Sequence, residues 1–152
     1  MQKITFQLPV PRYLKKILEI KYGNEYQAKE TTLFGMVVIN TLQKKSDRKY
    51  TFDKMQSQND YFSITLGMDK AQRNGFQHGQ KRAFQLSHLI ERNIREELYN
   101  ACIFNQINYG IEFQTTILDF LTMYDITEDE LSYETLRKDF NRYKLKNLHK
   151  FK

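Results

Sequence analysis

From about Gln80 to Asn108, apolar side chains recur at helical spacing: Ala83, Leu86, Ile90, Ile94, Leu98, Ala101 and Phe104. A stripe of this period and length predicts one long amphipathic helix, around which the rest of a small chain has to be arranged. Arg92, Arg95, Glu96 and Tyr99 fall on the opposite side. Glu97 falls within the stripe and needs a partner if it is buried. The only prolines, Pro9 and Pro11, lie far upstream.

The 152 residues suit a single domain, and a core of that size needs no disulfide or metal. The expected layout has three regions: residues 1–70, the long helix 80–108, and a unit over 111–152. Aromatic content of 14%, all Tyr and Phe, argues for a folded chain. The one cysteine, Cys102, cannot form an internal disulfide and gives no sign of an oxidising compartment. No apolar run approaches a membrane span. The opening "MQKITFQLPV" alternates polar and apolar residues and lacks the apolar block of a signal peptide. A soluble cytoplasmic protein without membrane contact is expected.

The same period-2 alternation makes "KITFQLP" a half-buried strand, with Ile4, Phe6 and Leu8 on one face and Lys3, Thr5 and Gln7 on the other. "DYFSITLG" repeats the pattern through Phe62, Ile64 and Leu66. The two are expected to pair as a small two-stranded antiparallel sheet packed on helices. Between them, Pro11 suits a helix opening and Gly23 its end. "GNEYQAKE" reads as a loop. "TTLFGMVVINTLQKK" is apolar nearly all round, and its continuation through Leu42 to Lys44–Lys45 favours helix over strand. "SDRKYTFDKMQSQN" and "DKAQRNGFQHGQKR" read as loops. The fold class is α+β and predominantly helical.

Charge is uneven. The chain carries a formal +6, and residues 136–152 hold seven bases (Arg137, Lys138, Arg142, Lys144, Lys146, Lys150 and Lys152) against one acid, Asp139. The remainder is therefore neutral overall. A localised basic stripe is the electrostatic footprint of nucleic-acid binding; a solubilising tail is the bland alternative.

Just upstream, Phe113, Ile117, Phe120, Leu121 and Tyr124 mark an amphipathic helix. Thr127 and Glu130 have capping-box spacing, so a helical turn is expected from Thr127, and Ser132 is an N-cap three residues before Thr135. On a wheel of the last helix, Tyr133, Leu136, Phe140 and Tyr143 point inward. Arg137, Lys138, Asn141 and Arg142 point outward, with Glu134 among them. Arg and Lys suit phosphates and guanine edges, and Asn suits adenine. Lys144, Lys146 and Lys150 flank this face within reach of a DNA backbone. Arg73, Lys81 and Arg82 are candidates for secondary phosphate contacts.

"FLTMYDITEDELSYETLRKDFNRYK" resembles a helix-turn-helix, with Ser132–Arg142 similar to a recognition helix. Residues 113–147 also resemble the C-terminal ends of small proteins carried by prophages and conjugative elements. The resemblance implies a DNA-binding accessory or regulatory protein of a mobile genetic element, reading the major groove of double-stranded DNA, with homodimerisation allowed. Two departures stand out: Asp125 occupies a turn position often held by Gly, and the spacer "TEDEL" is longer and more acidic than usual. At the other end, "KITFQLPVPRYLKKILEIKYG…TTLFGMVVINTL" is similar in order to ribbon-helix-helix repressors, which implies base contacts from Lys3, Thr5 and Gln7. A plain solvent-facing side of a strand is the preferred reading, because "DYFSITL" offers that strand a partner within the chain.

Enzymatic signatures are lacking. His78, His88 and His149 have no metal-ligand spacing. His88 and Cys102 stand about 21 Å apart along one helix, too far for a nucleophile–base pair. "GFQHGQKR" is not a phosphate loop. No catalytic residue, metal or cofactor is expected, although a magnesium-dependent nuclease assembled from distant carboxylates is left open. The competing function is a non-catalytic interaction or oligomerisation module with a solubilising basic tail. Target sequence, DNA against RNA, and oligomeric state are not legible.

Overall fold

The computed structural model describes residues 3–42, 60–67 and 80–147. The expected loop over 46–59 and residues 69–79 of the expected loop over 69–82 lie outside the described residues; residues 80–82 of the latter are helical. The backbone gathers into two compact units, residues 1–91 and 92–152.

In the first unit, β1 (Lys3–Val10) leads into α1 (Arg12–Tyr22). Pro11 sits at the N-cap in extended conformation, one residue before the first helical position, and its carbonyl accepts the first helical hydrogen bond from Lys15 at 3.1 Å. Gly23 ends the helix at φ 84°, a backbone conformation that side-chain-bearing residues rarely adopt, and its N–H bonds the Glu19 carbonyl at 2.8 Å. Then come β2 (Glu25–Gln27), α2 (Leu33–Leu42) and β3 (Asp60–Gly67).

The sheet order is β1-β3-β2. β1 pairs antiparallel with β3, Lys3 opposite Gly67 and Val10 opposite Asp60, as the matching alternation predicts. The two-stranded sheet is corrected to a mixed three-stranded one, because β2 pairs parallel to β3 from Glu25↔Ser63 to Gln27↔Thr65. Three residues are too few for alternation to register, so "GNEYQAKE" reads as loop until its partner strand is known. The register places Leu8, Val10, Phe62, Ile64 and Leu66 in the core, together with Leu14, Ile17 and Leu18 of α1 and Val38, Ile39 and Leu42 of α2. The other face is a polar ladder. Ser63 Oγ donates to Gln7 Oε1 at 3.0 Å, Thr5 and Thr65 hydroxyls bond at 3.1 Å, and Thr65 also donates to Glu25. Thr5 and Gln7, the base-contacting candidates of the ribbon analogy, thus use their polar atoms within the sheet.

α3 (Gln80–Tyr109) is the long helix. Its residues 80–91 belong to the first unit, where Phe84, Leu86 and Ile90 are buried. Its remainder belongs to the second, with α4 (Phe113–Met123) and α5 (Tyr133–Asn147). The buried stripe departs from the expected one at its start, where Ala83 is half-buried and Phe84 buried, and again after Leu98. It continues through Tyr99, Cys102 and Ile103, while Ala101 and Phe104 are exposed. Steps of four residues advance a helix face by about 40°, so a stripe of Ile90, Ile94 and Leu98 runs on to Cys102 and leaves Phe104 outside. Tyr99, expected outside, is buried because its ring meets Phe140 and Tyr143 of α5, with centroids 5.7 and 5.4 Å away. Glu97 is exposed and needs no buried partner.

Candidate nucleic-acid interface

The connection between α4 and α5 is built from local hydrogen bonds. Asp125 takes φ 52°, the left-handed conformation for which Gly is the usual choice and Asp a tolerated one. Its N–H bonds the Thr122 carbonyl at 3.1 Å, and the Ile126 N–H bonds Leu121 at 2.9 Å. Those two bonds form a Schellman ending, flanked by the buried pair Leu121 and Ile126. At Thr127 the expected turn forms: the Leu131 N–H reaches the Thr127 carbonyl at 3.1 Å, and Glu130 folds back to accept the Thr127 N–H at 3.0 Å. Ser132 caps α5 through the Thr135 N–H at 3.1 Å. The connection from Tyr124 to Ser132 is longer than the roughly three- or four-residue turn of a helix-turn-helix.

α5 is fixed to the second half of α3 by one side. Leu136 and Phe140 are fully buried. Asp139 accepts hydrogen bonds from Tyr99 and from Arg95, the latter at 3.2 Å. The Tyr143 hydroxyl donates to Asn100 Oδ1 at 2.6 Å. Burial, reinforced by the Asp139 carboxylate, pushes the Tyr99 phenol well above its ordinary value. Tyr143 moves the same way, chiefly by burial.

The opposite side of α5 faces solvent, and the candidates divide there. Lys138, Arg142 and Lys146 are exposed; Arg137 and Asn141 are half-buried. Arg137 is not unpaired. Its Nε donates to Glu134 Oε2 at 2.8 Å and its Nη2 to Oε1 at 2.5 Å. Lys138 Nζ stands 3.9 Å from the same carboxylate. The Arg137 guanidinium holds the Glu134 carboxyl below its usual range, and is itself held more firmly protonated by it. Lys144, expected at the DNA backbone, lies with its ammonium over the rings of Phe113 and Phe140, 5.6 and 5.4 Å from their centroids. Arg82, in the first unit, donates to the Leu42 carbonyl at the end of α2, 3.2 Å away. Lys81 stands in the first turn of α3, and Arg73 and Lys150 lie outside the described residues.

Two features are not apparent from residue types alone. Leu145 is 73% exposed and sits at the middle of the outward face, between Glu134 and Lys138 on the helical wheel. The wheel is the signal that would have placed it there. The fork of Arg137 on Glu134 is signalled only by their spacing of three residues.

Cys102 is fully buried, and burial pushes its thiol up to about 12. Among the described residues no cluster of His, Cys, Asp and Glu could hold a metal ion, and no helix is long and apolar enough to cross a membrane. No known protein family matches the chain, and neither the curated proteins nor the solved structures contain a significant match.

Proposed function

We propose that the chain is a cytoplasmic DNA-binding protein, an accessory or regulatory factor of a mobile genetic element, that docks α5 against duplex DNA. The observation that carries this reading is the division of α5. Leu136, Phe140 and Asp139 fix one side to α3, and Lys138, Arg142 and Lys146 share the exposed side. A helix locked by its apolar face with cations on the other has the arrangement that groove recognition needs. In this reading α4, the capped connection and α5 serve as a helix-turn-helix-like unit, and Arg137 and Asn141 supply the base-directed contacts. Lys138, Arg142 and Lys146 neutralise phosphates, so affinity should fall steeply with salt.

The test is neutralisation of charge. Deleting α5 would remove Leu136 and Phe140 from the core, whereas Lys138→Ala, Arg142→Ala and Lys146→Ala touch exposed positions only. The triple variant should stay folded and lose most of its affinity for mixed-sequence duplex. A second reading, a protein-interaction module, draws on Phe104, Ile107 and Tyr109, which are all more than half exposed near the end of α3. It is favoured if the triple variant binds DNA as the parent does and light scattering shows self-association.

A further inference from the structure

Resting on the DNA reading above, we propose that Glu134 is a positioning residue that aims Arg137 at a single guanine and confers sequence selectivity at the expense of general affinity. An arginine fork has two usable edges. Glu134 occupies the side edge, taking Nε–H and one hydrogen of Nη2 at 2.8 and 2.5 Å. The end edge, made of Nη1 and the second hydrogen of Nη2, is not used by Glu134. That edge presents two parallel N–H groups, the pattern that pairs with the O6 and N7 acceptors of guanine.

Geometry and charge point the same way. An arginine side chain otherwise samples many rotamers, and a second residue that holds its plane leaves less freedom to be lost on binding. Glu134 and Arg137 lie one turn apart on the same helix, so the pair is set by α5 itself. The acid also sits amid the bases that would meet phosphate, with Lys138 3.9 Å from it. A carboxylate there weakens attraction to any duplex. It suits a surface that discriminates among sequences better than one that only adheres. Salt-bridge decoration of a solvated helix is the plain alternative, and it predicts no effect on sequence preference.

The experiment uses the full chain with a duplex library randomised over its central segment, selected for binding and sequenced, alongside anisotropy with one mixed-sequence duplex in a salt series. The parent should prefer guanine at one position by roughly tenfold or more. Glu134→Gln, which keeps the shape and removes the charge, should lose most of that preference while binding the mixed duplex at least as tightly. Its salt slope should steepen by roughly 0.9 as the released Arg137 takes a phosphate. Arg137→Lys, which cannot form a fork, should lose the preference as well. If the parent binds DNA and Glu134→Gln keeps the full guanine preference, the positioning role is wrong and the DNA reading stands. If the parent binds no duplex at low salt, both fall together. Circular dichroism identical to the parent's establishes that the variants are folded.

Discussion

The phenol of Tyr99 on α3 donates its hydrogen to the carboxylate of Asp139 on α5. The bond joins the two helices beside the Tyr99–Phe140 ring contact and, with the burial of Leu136 and Phe140, leaves the opposite side of α5 to solvent. Its consequence is a pH dependence. Burial and the neighbouring carboxylate raise the Tyr99 pKa above its unfolded value near 10. The folded state therefore holds this proton more tightly. The stabilisation is complete below about pH 10 and is lost as pH rises through the raised value. Tyr99→Phe should lower stability at neutral pH by about 1 kcal/mol. It should also flatten the fall in denaturation midpoint above pH ~10 relative to the parent. An alkaline slope unchanged in the variant would show that Tyr99 does not carry it.

Cys102 should be chemically silent. Its sulfur is fully buried and its pKa is raised to about 12, so little thiolate exists at neutral pH. A disulfide reagent at pH 8 should leave the native thiol unmodified over the time in which it labels the denatured chain completely. Because the folded pKa is raised, this group's contribution too is present below the ordinary thiol value and is lost as pH rises through about 12. Fast labelling of the native protein would mean that the α3 face opens readily.

Gly35 on α2 has no room for a side chain. A Cβ there would stand 1.9 Å from the Lys29 carbonyl oxygen, a backbone atom with no free rotation to give way. Gly35→Ala should cost about 1–3 kcal/mol or more through displacement of the 28–35 segment. Gly67→Ala is the control, because no atom lies within 4 Å of the added carbon. Thermal melts of the two variants should differ clearly; equal melts would contradict the close approach.

Stability and binding should separate on α5. Phe140→Ala empties a fully buried site beside Tyr99 and Phe113 and should cost about 3–5 kcal/mol. Arg142→Ala, at an exposed position, should leave stability within about 0.5 kcal/mol and weaken DNA binding. Chemical denaturation and anisotropy on both variants check this, and a destabilised Arg142→Ala would show that the outward face is structural.

Much of this was legible because the strongest signals are local. The alternation in β1 and β3 gave their pairing, and Ser132 and Gly23 marked helix ends that the hydrogen bonds bear out. Asp125 was visible as an unusual occupant of the turn, but the Schellman bonds that tolerate it were not. Most of what stayed hidden depends on a partner distant in sequence. β2 exists only because β3 lies beside it. Tyr99 reads as a surface residue until Asp139 and Phe140 are placed against it. Lys144 reads as a free cation until Phe113 and Phe140 lie beneath it. The basic face of α5 was legible as composition, while its restraint by Glu134 depends on how the two side chains fold against each other.

The most direct test of the central claim is fluorescence anisotropy of mixed-sequence duplex DNA across a salt series. The full chain is compared with the Lys138→Ala, Arg142→Ala, Lys146→Ala variant. The account expects tight, salt-sensitive binding by the parent, with the salt slope in the variant reduced by roughly 0.9 for each phosphate it no longer neutralises. Equal binding and equal slopes, or no binding by the parent at low salt, would contradict it.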